Sequence, residues 1–181
     1  MLAAVALACA ACPPAGAAAA ARSAASCRGA NLRPSASDAR AVEAATLCLI
    51  DQVRLGYRLP PLRANRELGA VASSQVSSMV RWNYFADVRP SGQTPMTLVS
   101  ATRYPAHAAG VAVGQNIAWG AGRNATPARI VAAWMASPPH REIILSGEFR
   151  DAGVGVTPAV PSVLSAARHG AVYAIELGAR L

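Results

Sequence analysis

The strongest constraint on this chain is a pair of unlike segments in fixed order. Gly114-Gln115-Asn116-Ile117-Ala118-Trp119-Gly120 is followed shortly by Trp134-Met135-Ala136-Ser137-Pro138-Pro139-His140-Arg141. The first reads as a strand bounded by glycines. The second reads as a helix end: a proline has no N–H to give and its ring collides with the preceding turn, so two in succession break the helix. The break delivers one imidazole, His140. Together the two segments can build one wall of a cleft, and they require strand and helix in the same domain.

The chain has 181 residues, enough for one domain and a tail. Its hydrophobic fraction of 53% is inflated by alanine, a weak core former. A core of about 140 residues still buries enough surface to fold alone. The net charge is +8, and all 17 basic residues are arginine. Such a charge can serve an anionic partner, but a GC-rich coding sequence enriches Arg, Ala, Gly and Pro together. The arginines are scattered, form no run and accompany no nucleic-acid motif, so no nucleic-acid partner is expected.

The first 26 residues set the compartment. Fourteen are alanine, and no side chain is charged before Arg22. Met1 to Cys12 is an apolar run too short to cross a bilayer, and Ala17 to Ala21 offers small residues for cleavage. Residues 1–21 therefore read as a cleaved secretory signal peptide, although the usual positive start is missing. Cys9, after Ala6-Leu7-Ala8, and more weakly Cys12 carry a lipobox-like context. Plain secretion is the preferred reading over a lipid anchor. The protein is expected outside the cell, with cell-wall association as an extension of that expectation. No other segment is long and apolar enough to be transmembrane.

Cleavage leaves two cysteines, Cys27 and Cys48. An even pair in an exported chain reads as a disulfide. It ties the N-terminal arm, residues 22–36, to the first helix. Closing a loop of about 20 residues contributes roughly 3 kcal/mol.

Residues 37–181 form the domain. The 3.6-residue period predicts a helix from about Asp38 to Gly56, capped by Ser37 or Asp38 and stopped by Pro60-Pro61. Asn65 caps a second helix to about Trp82, with Leu68, Val71, Ala72, Val76 and Met79 on one face. Thr94-Pro95 opens a short third helix, and Thr126-Pro127 a fourth that runs to about Ala136. Gln115 to Trp119, Val154 to Thr157 and Ala171 to Leu177 are strand candidates, the last two read as partners of the first. The expected fold is α+β, a three-layer α-β-α sandwich with a small antiparallel sheet between helices. Trp134 is assigned to the core, Trp82-Asn83-Tyr84-Phe85 to core closure, and Trp119 to either core or cleft.

Several segments, in order, resemble the bacterial branch of the CAP superfamily (the cysteine-rich secretory, antigen 5 and pathogenesis-related proteins, or SCP-like domains). Gly114 to Ala118 is similar to its GENIA motif, and Trp134 to Arg141 to WMxSPxHR. Asp51 to Arg54, Leu59 to Leu62, Asn65 to Met79, Tyr84 to Asp87, Ser91 to Pro95 and Gly153 to Val156 are similar to further family segments. The Cys27 and Cys48 placement resembles members with an N-terminal disulfide. The resemblance implies a cleft lined by two histidines and acidic residues. Carried over by position, this chain offers Asp87, Gln115, Ser137 and His140, of which only His140 is kept. Asp87 stands where the first histidine is expected, and Gln115 replaces the glutamate of the GEN triplet.

The chemistry follows from those exchanges. One imidazole and one carboxylate with an amide make a poor transition-metal site, so no metal and no cofactor is expected. Ser137 and His140 are three apart, but Pro138-Pro139 lies between them and nothing resembles a nucleophile elbow. Ser137 is read instead as the cap of a short helix around His140 to Leu145. No catalytic residue is assigned. Asp87, Gln115, Asn116, Ser137, His140 and Arg141 are read as cleft residues that hydrogen-bond a ligand without reacting. That makes a non-catalytic binding protein, monomeric, whose partner is an extracellular lipid, cell-wall glycan or protein. The alternatives are a metal-dependent or Ser-His hydrolase and a structural wall protein.

Overall fold

The computed structural model describes residues 27–164 and 169–181. The signal-peptide reading and the lipobox cysteines Cys9 and Cys12 lie outside the described residues. Helix α1 spans Ala39–Gly56, α2 Arg66–Arg81, α3 Pro95–Ser100, α4 Pro127–Ala136 and α5 Pro138–Leu145. A 3-10 turn at Gly122–Ala125 leads into α4. The strands are β1 Arg63–Ala64, β2 Val111–Ala121, β3 Asp151–Thr157 and β4 Gly170–Arg180.

The sheet order is β1-β3-β4-β2. Strand β4 is antiparallel to both β2 and β3, and the two-residue β1 adds a parallel edge against Asp151 and Ala152. Two expectations change here. Strand β3 pairs with β4 and not with β2, so β2 is an edge strand. It also starts at Val111, because residues 111–114 find ladder partners at the far end of β4.

Side chains alternate cleanly across this sheet. Ala171, Tyr173, Ile175 and Leu177 of β4 join Ala152, Val154 and Val156 of β3 in the core against α1, α4 and α5. Val172 and Ala174, with Ile117 of β2, face α2. The layers are therefore helices, sheet and helices. On the α2 side β3 presents Gly153 and Gly155 between Asp151 and Thr157 at its ends. A Cβ at either glycine would run into the α2 backbone, so the helix lies directly on the strand. With both faces covered, β4 is buried from Gly170 to Ala179, which explains its nearly unbroken apolar composition.

Local rules fix several helix starts. The Asn65 side chain accepts from the N–H groups of Glu67 and Leu68. Thr94 and Thr97 form a reciprocal capping box. Asp38 sits at the α1 N-cap but makes no cap bond. Helix α1 ends before the prolines: Arg58 takes a left-handed φ of 61° and the Leu59 N–H returns to the Arg54 carbonyl at 2.9 Å. Trp82, expected to close the core, is 65% exposed and lies under the Arg81 guanidinium.

Two buried links hold the α1 side. Arg54 is fully buried, and its guanidinium donates to the carbonyls of Pro60, Ile144, Ser146 and Phe149. It joins α1, the Pro60-Pro61 turn and the end of α5. The second is the Cys27–Cys48 disulfide, with 5.8 Å between the Cα atoms. Cys27 and Ala30 of the arm are buried in the main core, and the Ala30 carbonyl accepts from Ala128 of α4 at 2.9 Å.

Candidate functional site

Because β2 is an edge strand, one side of it has no neighbouring strand among the described residues, and the α4–α5 turn closes there. The Trp134 indole N–H donates to the Ile117 carbonyl at 3.1 Å. The Asn116 side-chain amide donates to the His140 carbonyl at 2.9 Å. These two bonds, from adjacent strand residues, pin the turn that carries Ser137 and His140.

Ser137 occupies the N-cap position of α5, as expected, but its hydroxyl makes no cap bond. It pairs with His140 Nδ1 at 2.8 Å instead. The reason is local. An N-cap side chain bonds the N–H of the second or third helical residue; the second, Pro139, has none, and at the third, His140, the ring nitrogen takes the hydroxyl in place of the backbone N–H. The hydroxyl turns to the imidazole, which leaves Nε2 as the other ring nitrogen. Arg141 points elsewhere: it is exposed and its guanidinium donates back to the Met135 carbonyl at 3.3 Å.

Asp87 comes from the loop after α2. Its backbone is held from below by Gln75, a fully buried residue whose amide donates to the carbonyls of Ala86 and Asp87 at 2.9 and 3.3 Å. Gln75 Oε1 accepts from Arg89 Nε at 2.9 Å, and Arg89 Nη2 donates to Ser74 Oγ at 2.8 Å. The Asp87 carboxyl is open to solvent on one side and walled on the other. The walled side raises its pKa and the nearby His140 opposes that rise, so the two are electrostatic neighbours.

Gln115 and Asn116 point to opposite faces of the sheet. Gln115 lies in register with Glu176 of β4, and its amide donates to Glu176 Oε1. Glu176 is fully buried. Burial, with Asp87 nearby, pushes its carboxyl up to about 8 against the pull of Gln115 and Arg89. The carboxyl group that the family resemblance puts at position 115 is absent there, and Glu176 supplies one from the neighbouring strand. Sequence reasoning missed Glu176, Gln75 and Arg89. Two signals were available: Glu176 is the one acidic residue in β4, and Gln75 holds a core position on the apolar face of α2.

Among the described residues no three His, Cys, Asp or Glu side chains converge as a metal site would need. His169 lies at the start of β4, where its carbonyl accepts from Gly122 at 2.7 Å. A shallow groove beside Arg33 and Gly122 adjoins it.

Comparison with known proteins gives one consistent result. The chain is 31% identical over 119 residues to the uncharacterized protein YkwD of Bacillus subtilis, covering 66% of this chain and 44% of that relative. It thus spans less than half the length of the curated relative. An extracellular protein containing a SCP domain from Bacillus anthracis superposes with a TM-score of 0.61 at 22% identity, over 77% of this chain and 40% of that one. An outer surface protein from Borrelia burgdorferi superposes with a TM-score of 0.60 at 19% identity, over 75% of this chain and 90% of that one. Residues 47–160 match the cysteine-rich secretory protein family, CAP, and with the three-layer fold they show that the chain belongs to it.

Proposed function

We propose that this chain is an extracellular binding protein that uses the cleft at the free edge of β2 without catalysing a reaction. The observation that carries the reading is the helix start beside His140. A Ser-His hydrolase needs N–H donors aimed at the oxyanion near its nucleophile. Pro138 and Pro139 occupy the first two positions of α5, so the N–H groups nearest to Ser137 on that side do not exist. What is left is a set of hydrogen-bonding groups: the Asp87 carboxylate, the free face of His140, and Ser137. Such a set can hold a ligand and has no developed charge to stabilise.

The disulfide supports an oxidising, extracellular compartment. Among the described residues no helix is long and apolar enough to cross a membrane. The ligand class under this reading is a lipid, a cell-wall glycan or a protein, taken by a monomer. Native mass spectrometry of the mature protein from its own host's medium tests it. Co-purified mass that is lost from His140→Ala supports the reading. A clean mass in both proteins refutes a tight small ligand.

A second reading is a Ser-His hydrolase, favoured by the 2.8 Å contact between Ser137 Oγ and His140 Nδ1. A fluorophosphonate probe separates the two. Labelling of Ser137 that disappears in His140→Ala would establish a nucleophile and overturn the non-catalytic reading.

A further inference from the structure

Gln115 and Glu176 meet side by side on neighbouring strands, and their remaining atoms do not fit an ionised carboxylate. With the Gln115 amide donating to Glu176 Oε1, Gln115 Oε1 and Glu176 Oε2 are both buried and have no partner among the described residues. Both are acceptors, so neither can satisfy the other. A buried polar atom left unpaired costs the desolvation of that atom. One proton on Glu176 Oε2 removes both deficits, because a carboxylic acid can donate to the amide oxygen while accepting from the amide nitrogen. The two side chains then close a ring of two reciprocal hydrogen bonds.

The surroundings support a neutral acid. On the β3 side Glu176 lies in register with Gly153, which has no side chain. Helix α2 rests its Leu68, Gly69, Ala72 and Ser73 backbone on Gly153 and Gly155, and its polar groups there, Ser74 and Gln75, are uncharged. The loop after α2 brings Asp87 and Arg89, but the Arg89 guanidinium is occupied by Gln75 and Ser74. From α5 His140 acts on Asp87. Further along the same face, Asp151 is already bound by Arg63 and Tyr104, with Arg180 at 3.9 Å.

We propose that Glu176 is a neutral acid in the resting protein, doubly hydrogen-bonded to Gln115, and that loss of its proton is a switch which adds a buried negative charge within electrostatic reach of Asp87. The functional consequence rests on the binding reading above: a ligand with a cationic group is held more tightly after deprotonation, and an anionic one less tightly. The protonation state itself does not depend on that reading.

The test is carboxyl carbon NMR of the full mature chain labelled at glutamate, titrated from about pH 5 to about pH 10. The Glu176 resonance is identified by its absence in Glu176→Gln. The expected result is a midpoint near 8, with the Gln115 side-chain amide signals moving at the same midpoint. A Glu176 resonance already in the carboxylate position at about pH 6 overturns the proposal. Should Glu176→Gln fail to fold, the Gln115 amide titration in the natural protein decides alone. A cleft that binds nothing leaves a midpoint near 8 standing, so the switch and the binding reading fail separately.

Discussion

Replacing Gly153 by alanine puts a methyl group into space already filled by α2. The new carbon would lie 2.5 Å from the Gly69 Cα and closer still to the Gly69 nitrogen and the Leu68 carbonyl carbon, where real contacts under 3.0 Å essentially never occur. The helix must retreat by something on the order of 1 Å, and it carries Leu68, Ala72, Val76 and Met79 out of their packing as it goes. Overpacking against movable side chains costs about 1–3 kcal/mol. Here the obstacles are backbone atoms that cannot rotate aside, so the expected loss is about 3 kcal/mol or more. That is a large share of a domain stability of roughly 5–15 kcal/mol. The same contact approached from the other side behaves differently. A Cβ at Gly69 meets only the Gly153 Cα, at 4.0 Å. Gly69→Ala should therefore gain the helix-interior preference for alanine, about 0.5–1 kcal/mol. Urea unfolding of both variants followed by circular dichroism, with the slope unchanged, reads the difference. If Gly153→Ala falls within about 0.5 kcal/mol of the parent, or if Gly69→Ala destabilises, the close helix–strand contact is not what holds this layer together.

Arg54→Met keeps the length of the side chain but leaves four carbonyl acceptors without their donor, and should cost at least about 3 kcal/mol in the same urea assay; a loss under about 1 kcal/mol would mean water replaces the guanidinium. Removing both cysteines, Cys27→Ser with Cys48→Ser, should lower stability by about 3 kcal/mol through the 21-residue separation they close; an unchanged urea midpoint would show that the arm is held by its packing alone. The Glu176 carboxyl, raised to about 8 from an ordinary 4.5, keeps a proton in the folded state that the unfolded chain has released. Its contribution to stability is thus complete below about pH 4.5 and falls as pH rises to about 8, by as much as about 1.4 kcal/mol per pH unit. Glu176→Gln removes this slope, so melting temperatures of variant and parent should diverge in favour of the variant between pH 5 and pH 8.5, and parallel curves would refute the raised carboxyl. Asn65→Ala should cost about 1 kcal/mol by removing the α2 cap, whereas no loss would mean that the Glu67 and Leu68 N–H groups find other acceptors.

What the sequence by itself determined were features written within a few residues. Asn65 before α2, Thr94-Pro95 before α3, Thr126-Pro127 before α4 and the Pro138-Pro139 break are signals of that kind. So are the apolar period of α2, the two cysteines, and the ordered motifs that point to the family. The structure decided what depends on partners far along the chain. Strand β1 is two residues long and has no period to detect; it exists because Arg63 and Ala64 find Asp151 and Ala152. Arg54 looks like a surface arginine in a helix, and its burial follows from carbonyls up to 95 positions away. Glu176 looks like an isolated charge in an apolar strand. Its weight comes from a register that sets it against Gln115, 61 positions earlier, under a helix that glycines let close over it. Backbone preferences act over one turn or one hairpin, so they can be read directly. The energy of a buried polar group is set by whatever tertiary packing places beside it, and that is known only once the strands are in register.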